Sequence, residues 1–391
     1  MKILFITNHV LSGNGGGGFA SRAYINAFSE VADQFLLLYP DNGINVSEHF
    51  SLKNKIIFKG VPNKNSDLSK LWDIYIGKIN RFYGQFDGLI DDFKPDMVVF
   101  DNSRASAGLL TIAKKAKIKV ITIHHNYEME YYKGTPPNIL WRIPLLHFMR
   151  KAERSAVLLS DLNLTLTTQD TSLLEHTYGS GQNTNFQEIG VFEYRNKQVE
   201  KFNFVKPAFN EKSIKFIITG SLGSYQTEAS IIPFLKFYFP LLIKEYPDCN
   251  LIIAGKNPSK RLKELCGKFK NINVIPNPKR MEEVVCKADI YLCPTSIGGG
   301  LKLRIMDGFR LGLPVISHKV SARGYEVFEK YGALRVYKDQ ESFLDGVKKT
   351  SLYLKNNNID NEFIKDLYDK NFSFESGLRR LKSILSHSFK L

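Results

Sequence analysis

Between positions 288 and 308 the chain reads Ala288-Asp289-Ile290-Tyr291-Leu292-Cys293-Pro294-Thr295-Ser296-Ile297-Gly298-Gly299-Gly300-Leu301-Lys302-Leu303-Arg304-Ile305-Met306-Asp307-Gly308, and a little further on Gly312-Leu313-Pro314-Val315. A short apolar run closed by a proline has the length of a buried strand. Three glycines then open the backbone, and the periodic residues after them predict a helix over 302–311, followed by a second strand at 315–317. Backbone N–H groups at such a helix start, backed by Lys302 and Arg304, suit an anion as large as a diphosphate. Arg304 and Asp307 are three apart and so share a helix face, where Asp307 can accept bonds from sugar or ribose hydroxyls. The competing description is a capped helix carrying a solvated charge pair.

The same alternation of short apolar runs and longer amphipathic stretches extends in both directions, as βαβ units with parallel strands require. Upstream, strands are expected at 2–7, 34–39, 55–58, 97–100, 120–124 and 162–165. Helices are expected at 20–30, 67–92, 105–116 and 144–160, with Pro136-Pro137 breaking the chain before the last. The rhythm lapses near Ile189-Gly190-Val191, and a polar stretch carrying Pro207 and reaching Asn210 reads as a linker. It restarts with strands at 214–219, 250–254 and 272–275 and helices at 228–245, 259–268 and 280–288, and an amphipathic segment at 374–385 predicts a final helix. The expected fold is α/β, with two Rossmann-like domains facing a cleft. These are residues 1–190 and 191–374, with a terminal helix at about 375–391 packing back on the first. Open parallel sheets bind ligands beyond the carboxyl ends of their strands, so the chemistry is expected in the loops there.

Two more such loops stand out. Gly13-Asn14-Gly15-Gly16-Gly17-Gly18 follows the first strand and satisfies G-x-G-x-x-G, with Asp41 after the second strand. A dinucleotide fingerprint turns directly after its strand, whereas Asn8 to Ser12 intervene here. A surface loop, a phosphate-contacting loop and a dinucleotide site all remain open for this run. The third loop, Thr122-Ile123-His124-His125-Asn126-Tyr127-Glu128, ends a strand. A histidine at that place can hold a sugar hydroxyl or a developing charge, although a lone histidine is more often structural.

Composition narrows the partners. The 391 residues carry 54 Lys and Arg against 39 Asp and Glu, a net charge of +15. Nucleic acid, an anionic membrane surface and phosphorylated small molecules would all suit that balance. No nucleic-acid motif accompanies the charge, so nucleic acid is not expected as a partner. The four cysteines, Cys249, Cys266, Cys286 and Cys293, form no C-x-x-C pair, which argues for reduced thiols over zinc or disulfides. No apolar run has the ~18–20 residues that span a bilayer. A cytoplasmic chain is expected, peripheral on the inner face of the membrane if it meets lipid at all. The segment Leu140 to Lys151, which mixes apolar and basic residues, is the candidate lipid contact, and it equally describes a helix packed on a sheet.

With these stretches in hand, the second half resembles the donor-binding domain of retaining GT-B glycosyltransferases of family four, a group that builds bacterial surface polysaccharides. The resemblance runs from Thr219-Gly220-Ser221 through Leu251-Ile252-Ile253-Ala254-Gly255 and Ala288 to Pro294, then the glycine loop and Gly312 to Ser317. The first half is similar more weakly, through its glycine run and the strand ending His124-His125-Asn126. The resemblance implies a nucleotide-diphosphate sugar as donor and a glycan or lipid-linked acceptor. Gly220, Ser221, Gly299, Gly300, Leu301, Lys302 and Arg304 would bind the diphosphate, Gly16 and Gly17 would close over it, and Asp307 would hold the ribose. His124 or His125 would contact the sugar. Where many relatives carry two glutamates with seven residues between them, this chain has Gly299 and Asp307, and no arginine–lysine pair follows at 220–228.

The resemblance also implies retention by front-face attack, with the departing phosphate taking the acceptor proton, no metal and no further cofactor. There is neither a D-x-D signature nor a carboxylate pair of the glycosidase type. Three alternatives use the same sequence features. A nucleotide-sugar epimerase of the same fold would need no acceptor, a non-catalytic partner subunit would tolerate Asp307, and a dehydrogenase would rest on the first glycine run alone.

Overall fold

The computed structural model describes residues 1–13, 15–62, 80–134, 139–194, 209–356 and 361–389. The chain divides into two compact units, the first made of Met1–Gln198 with Asn371–Leu391 and the second of Val199–Lys370. Each is a parallel sheet flanked by helices.

In the first unit the elements run β1 (Lys2–Thr7), α1 (Gly16–Val31), β2 (Gln34–Asp41), β3 (Ile56–Pro62), α2 (Tyr83–Phe93), β4 (Met97–Asp101), α3 (Ser103–Ser106), α4 (Leu109–Lys115), β5 (Lys119–His124), α5 (Glu128–Gly134), α6 (Ile139–Leu159), β6 (Leu162–Thr165), α7 (Thr168–Leu174) and β7 (Phe186–Glu188). The strands are ordered β3-β2-β1-β4-β5-β6-β7, so the sequence of neighbours reverses between β1 and β4. The β1 run Ile3, Leu4, Phe5 and Ile6 is wholly buried because helices cover both faces of the sheet, which is why it shows no alternation.

The second unit repeats the plan with β8 (Lys215–Ser221), α8 (Tyr225–Phe237), α9 (Phe239–Glu245), β9 (Asn250–Lys256), α10 (Lys260–Cys266), β10 (Ile272–Pro276), α11 (Met281–Val285), β11 (Ile290–Cys293), α12 (Arg304–Arg310), β12 (Val315–His318), α13 (Glu326–Lys330), β13 (Leu334–Tyr337), α14 (Gln340–Lys355) and α15 (Asn361–Phe372). Its order is β10-β9-β8-β11-β12-β13, with the reversal between β8 and β11. The last helix, α16 (Phe374–Phe389), belongs to the first unit. Arg380 on it donates to the carbonyls of Ile189 at 3.0 Å and Asn371 at 2.6 Å.

Several elements differ from the pattern read above, each for a local reason. The first helix begins at Gly16, so three of the glycines form its opening turn where a loop was expected. The helix expected over 228–245 is two helices meeting at Tyr238, because Pro240 has no N–H to bond back and so restarts the helix. Pro144 lies inside α6 and not at its start. Strands β7 and β13 and helices α5, α7 and α13 to α15 have no counterpart in that pattern, and the helix expected over 105–116 is the two short helices α3 and α4. Most of the expected linker and much of the expected helix at 67–92 lie outside the described residues.

Candidate functional site

Each reversal of strand order leaves two neighbouring strands whose following loops diverge, and ligands of open α/β sheets sit in that crevice. In the second unit the crevice lies beyond the ends of β8 and β11, and the glycine loop at 298–303 fills it. Gly298 and Gly300 hold φ of 89° and 68°, left-handed values that side chains rarely adopt. The loop thus turns in a way that depends on glycine, with Gly299 and Gly300 themselves buried. Lys302 Nζ donates to the carbonyl of Gly299 at 2.6 Å, which folds the ammonium back over the loop. The hydroxyl of Tyr325 donates to the Lys302 carbonyl at 3.1 Å and holds the loop from below.

Arg304, the first residue of α12, reaches the end of β8. Its guanidinium donates to Thr227 Oγ1 at 3.0 Å and to the Thr219 carbonyl at 3.5 Å. It lies so close over Gly220 that a Cβ there would sit 2.8 Å from Nη1, so glycine at 220 is what admits the arginine. Gly220, Gly299, Gly300, Leu301, Lys302 and Arg304 therefore belong to one loop cluster, with Ser221 exposed at the rim of β8. Asp307 is partnered differently from the sequence expectation. Its Oδ1 pairs with Arg310 at 3.3 Å, and Arg310 also reaches Glu282. Arg304 turns away toward β8.

The first unit has its own crevice, beyond β1 and β4, and a buried ionisable cluster occupies it. Asp101, the last residue of β4, is fully buried and accepts from Thr7 Oγ1 at 2.6 Å, from the Ser21 hydroxyl, and from His125 Nε2 at 2.5 Å. Burial pushes the Asp101 carboxyl up, but His125 and its hydrogen bond, with His9 and Ser21, outweigh that and bring it down to about 2. His9 lies against the His125 ring at 4.8 Å, and Tyr24 meets His125 edge-on at 5.8 Å. Asn102 fixes the state of His9. Its Oδ1 accepts from the Ala105 amide at 3.0 Å, so its Nδ2 faces His9 Nε2 at 3.1 Å and donates to it. Burial, aided by His125, lowers His9 to about 4, and it is neutral near pH 7.

Gly17 packs directly on this group, since a Cβ at 17 would overlap the His9 ring. Gly16 opens the same turn and is exposed. The ligand-type atoms of His9, Asp101 and His125 lie within 4.8 Å of one another, a spacing a metal could use. Thr7 and Ser21 engage one Asp101 oxygen and His125 Nε2 the other, and Asn102 engages His9 Nε2. His124 is separate. It is buried, bonds Asn163 Oδ1 at 3.0 Å, and is lowered by burial to about 4 despite that bond. Of the two histidines read from the sequence, His125 joins the crevice and His124 belongs to the sheet interior.

His9 and Asp101 were not legible as site residues. Asp101 closes the apolar run of β4 and His9 stands two residues past β1, after Thr7 and Asn8, and only the adjacency of β1 and β4 brings them together. A polar residue closing a fully apolar strand was the one available signal.

A doubly wound pair of sheets with both switch points furnished in this way defines the fold as two-domain Rossmann-like, of the GT-B type. Comparison with known proteins agrees. Residues 213–351 match the family described as Glycosyl transferases group 1. No curated protein matches the chain. Among solved structures, a sucrose-phosphate synthase from Thermosynechococcus elongatus is similar with a TM-score of 0.71 at 11% identity, covering 100% of this chain and 99% of that one. A glycosyltransferase from Rickettsia africae reaches 0.67 at 14% identity, covering 100% and 98%. The HepE protein of Anabaena in complex with UDP reaches 0.65 at 11% identity, covering 99% and 100%. At such identities the likeness establishes the fold.

Proposed function

We propose that this chain is a glycosyltransferase that moves a sugar from a nucleotide-diphosphate donor to a glycan or lipid-linked acceptor. The observation that carries the reading is the glycine loop at the β8–β11 crevice. Its turns require two left-handed glycines and bring Lys302 and Arg304 to one place, within the segment that matches the glycosyl transferase family. That HepE has been solved with UDP and with UDP-glucose supports a nucleotide-sugar donor for a chain of this fold.

Cleaving the anomeric bond leaves negative charge on the diphosphate and oxocarbenium character on the sugar. Lys302 and Arg304 are placed to neutralise the first. Arg304 is held by Thr227 and Thr219 before any ligand arrives, so little reorganisation is needed. The ammonium of Lys302, held beside the loop by its bond to the Gly299 carbonyl, adds its full charge there. Asp307 is assigned to the ribose hydroxyls. On the first unit His125, fixed by Asp101, is assigned to the transferred sugar, and Gly16 and Gly17 to the phosphates. We infer retention with the departing phosphate as proton acceptor. The cations replace a divalent ion, so chelator should leave turnover unchanged. The product belongs to surface-polysaccharide assembly, made in the cytoplasm, in keeping with four cysteines that are free and buried.

Lys302→Ala tests the reading. Loss of one preorganised charge donor costs roughly 100- to 1,000-fold in turnover. Donor turnover by the variant should fall by that factor while its melting temperature stays within a few degrees of the parent's. Transfer at the parent rate would refute the assignment.

A further inference from the structure

Helix α6 presents one stripe to the surface through positions 143, 147, 150, 151, 154 and 158, spaced as a single helical face requires. His147, Arg150, Lys151 and Arg154 on that stripe form one wall of a groove of about 670 Å³. Thr177, Tyr178, Ser180 and Gln182 form the other. The lining contains four basic side chains, three hydroxyls and an amide, and no carboxylate. Among the described residues Arg150, Lys151 and Arg154 take part in no ion pair. Arg150 and Arg154 stand at i,i+4. Like charges at that spacing weaken a helix, by about 0.2–0.5 kcal/mol per pair. Folding gains nothing from such a concentration of unneutralised charge.

The buried groups behind the wall leave the charge in place. Glu153, on the inner face of α6, is fully buried, accepts the Glu128 amide at 2.8 Å and takes the Tyr178 hydroxyl at 3.0 Å. Burial keeps its carboxyl protonated near pH 7, at about 8, so it does not cancel the cations outside. The groove is also distinct from the crevice at His9, Asp101 and His125. Arg154 and Leu158 lie in the last turns before β6 begins, and Ser180 and Gln182 shortly before β7. The groove shares no lining residue with the crevice, although its Tyr178 packs on Tyr127 of the loop that follows β5, with ring centroids 6.3 Å apart.

We propose that this groove docks an acidic oligosaccharide, a carboxylate- or phosphate-bearing stretch of the glycan on which the chain acts. The cations supply the attraction, and the hydroxyls and amide of the facing wall match sugar hydroxyls. The volume lies within the ~300–1,000 Å³ of small-ligand sites. Concavity favours a chain that can enter over a bilayer, which is flat. That the anion is a glycan rests on the glycosyltransferase reading, whereas its charge rests on the groove alone.

Calorimetric titration with hexagalacturonate, neutral maltohexaose and phosphatidylglycerol vesicles tests this, with UDP-induced thermal shift of the unaltered protein reporting separately on the donor site. Hexagalacturonate should bind and maltohexaose should not. The double variant Arg150→Ser, Arg154→Ser should raise its Kd at least tenfold, and added salt should weaken it in the parent. Both positions are exposed, and relief of the like-charge pair roughly offsets the lower helix propensity of serine, so the variant should melt within a few degrees of the parent. Absence of hexagalacturonate binding, equal affinity in the variant, or vesicle binding that the variant abolishes while the oligosaccharide does not bind would each overturn the proposal. The last would make this face a lipid contact.

Discussion

At the scale of single residues, the buried ionisable groups of the first unit set a pH dependence whose sign can be worked out. Glu153 titrates near 8 in the fold because burial opposes its charge, against about 4.5 when unfolded. The folded state therefore holds a proton that the unfolded chain releases, and this contribution to stability declines as pH rises from about 4.5 to 8. His9 and His124, both lowered by burial from 6.5 to about 4, act in the opposite sense. Their folded forms bind fewer protons, so their contribution rises with pH until about 6.5 and is level above it. Between pH 6.5 and 8 the Glu153 decline is left standing, and one proton over that interval amounts to about 2 kcal/mol. Glu153→Gln keeps the acceptor for the Glu128 amide and cannot ionise. Its denaturation midpoint should fall less from pH 6.5 to 8 than the parent's, Glu128 being raised by burial in the same sense and still present. Two parallel profiles would show that Glu153 is ionised throughout. What the sequence revealed at this scale was local chemistry. Lys302 and Arg304 stand at a helix start and His125 just past a strand, each in a recognisable run, whereas Glu153 looked like one more charge on a helix until packing buried it.

At the scale of elements, the two rhythms of strand and helix were readable because apolar runs of four to six residues must be buried on both faces. Legibility failed where elements are short or polar. The β13 run Leu-Arg-Val-Tyr alternates, and β7 has three residues, so neither carries the continuous apolar signal of β1. Helix α16 was readable from its amphipathic face, but the details of its docking were not. Gly377 on α16 packs directly on Phe192, where a Cβ would run into the ring. Phe192 is itself fully buried and held edge-on by Tyr24 at 5.4 Å, so it cannot yield. Overpacking of this kind costs about 1–3 kcal/mol, and the gain from alanine in a helix returns up to about 1 kcal/mol. Gly377→Ala should therefore lower the urea midpoint of the first unit, and a midpoint equal to the parent's would mean that α16 is held by the Arg380 bonds alone.

At the scale of the whole molecule, the chain crosses from one unit to the other twice, near 198 and near 370, and each unit has an apolar core of its own. Leu4, Ile6, Phe86, Val98 and Phe100 anchor the first, and Phe216, Ile218, Phe234, Leu251 and Ile253 the second. Two cores joined by two crossings predict two calorimetric transitions. A nucleotide that binds only at the glycine loop of the second unit stabilises that unit alone, by about 2.7 kcal/mol at a hundred times its Kd. For a unit of this size, that is a shift of roughly 5–10 °C. Scanning calorimetry with and without UDP should accordingly move one transition and leave the other. The stationary one is identified independently, as the transition that Gly377→Ala lowers. Lys302→Ala should abolish the UDP shift without moving either transition in its absence. If UDP moved the transition that Gly377→Ala lowers, the nucleotide site would lie in the first unit, beside His9 and His125. The first glycine run, and not the second, would then be the phosphate loop.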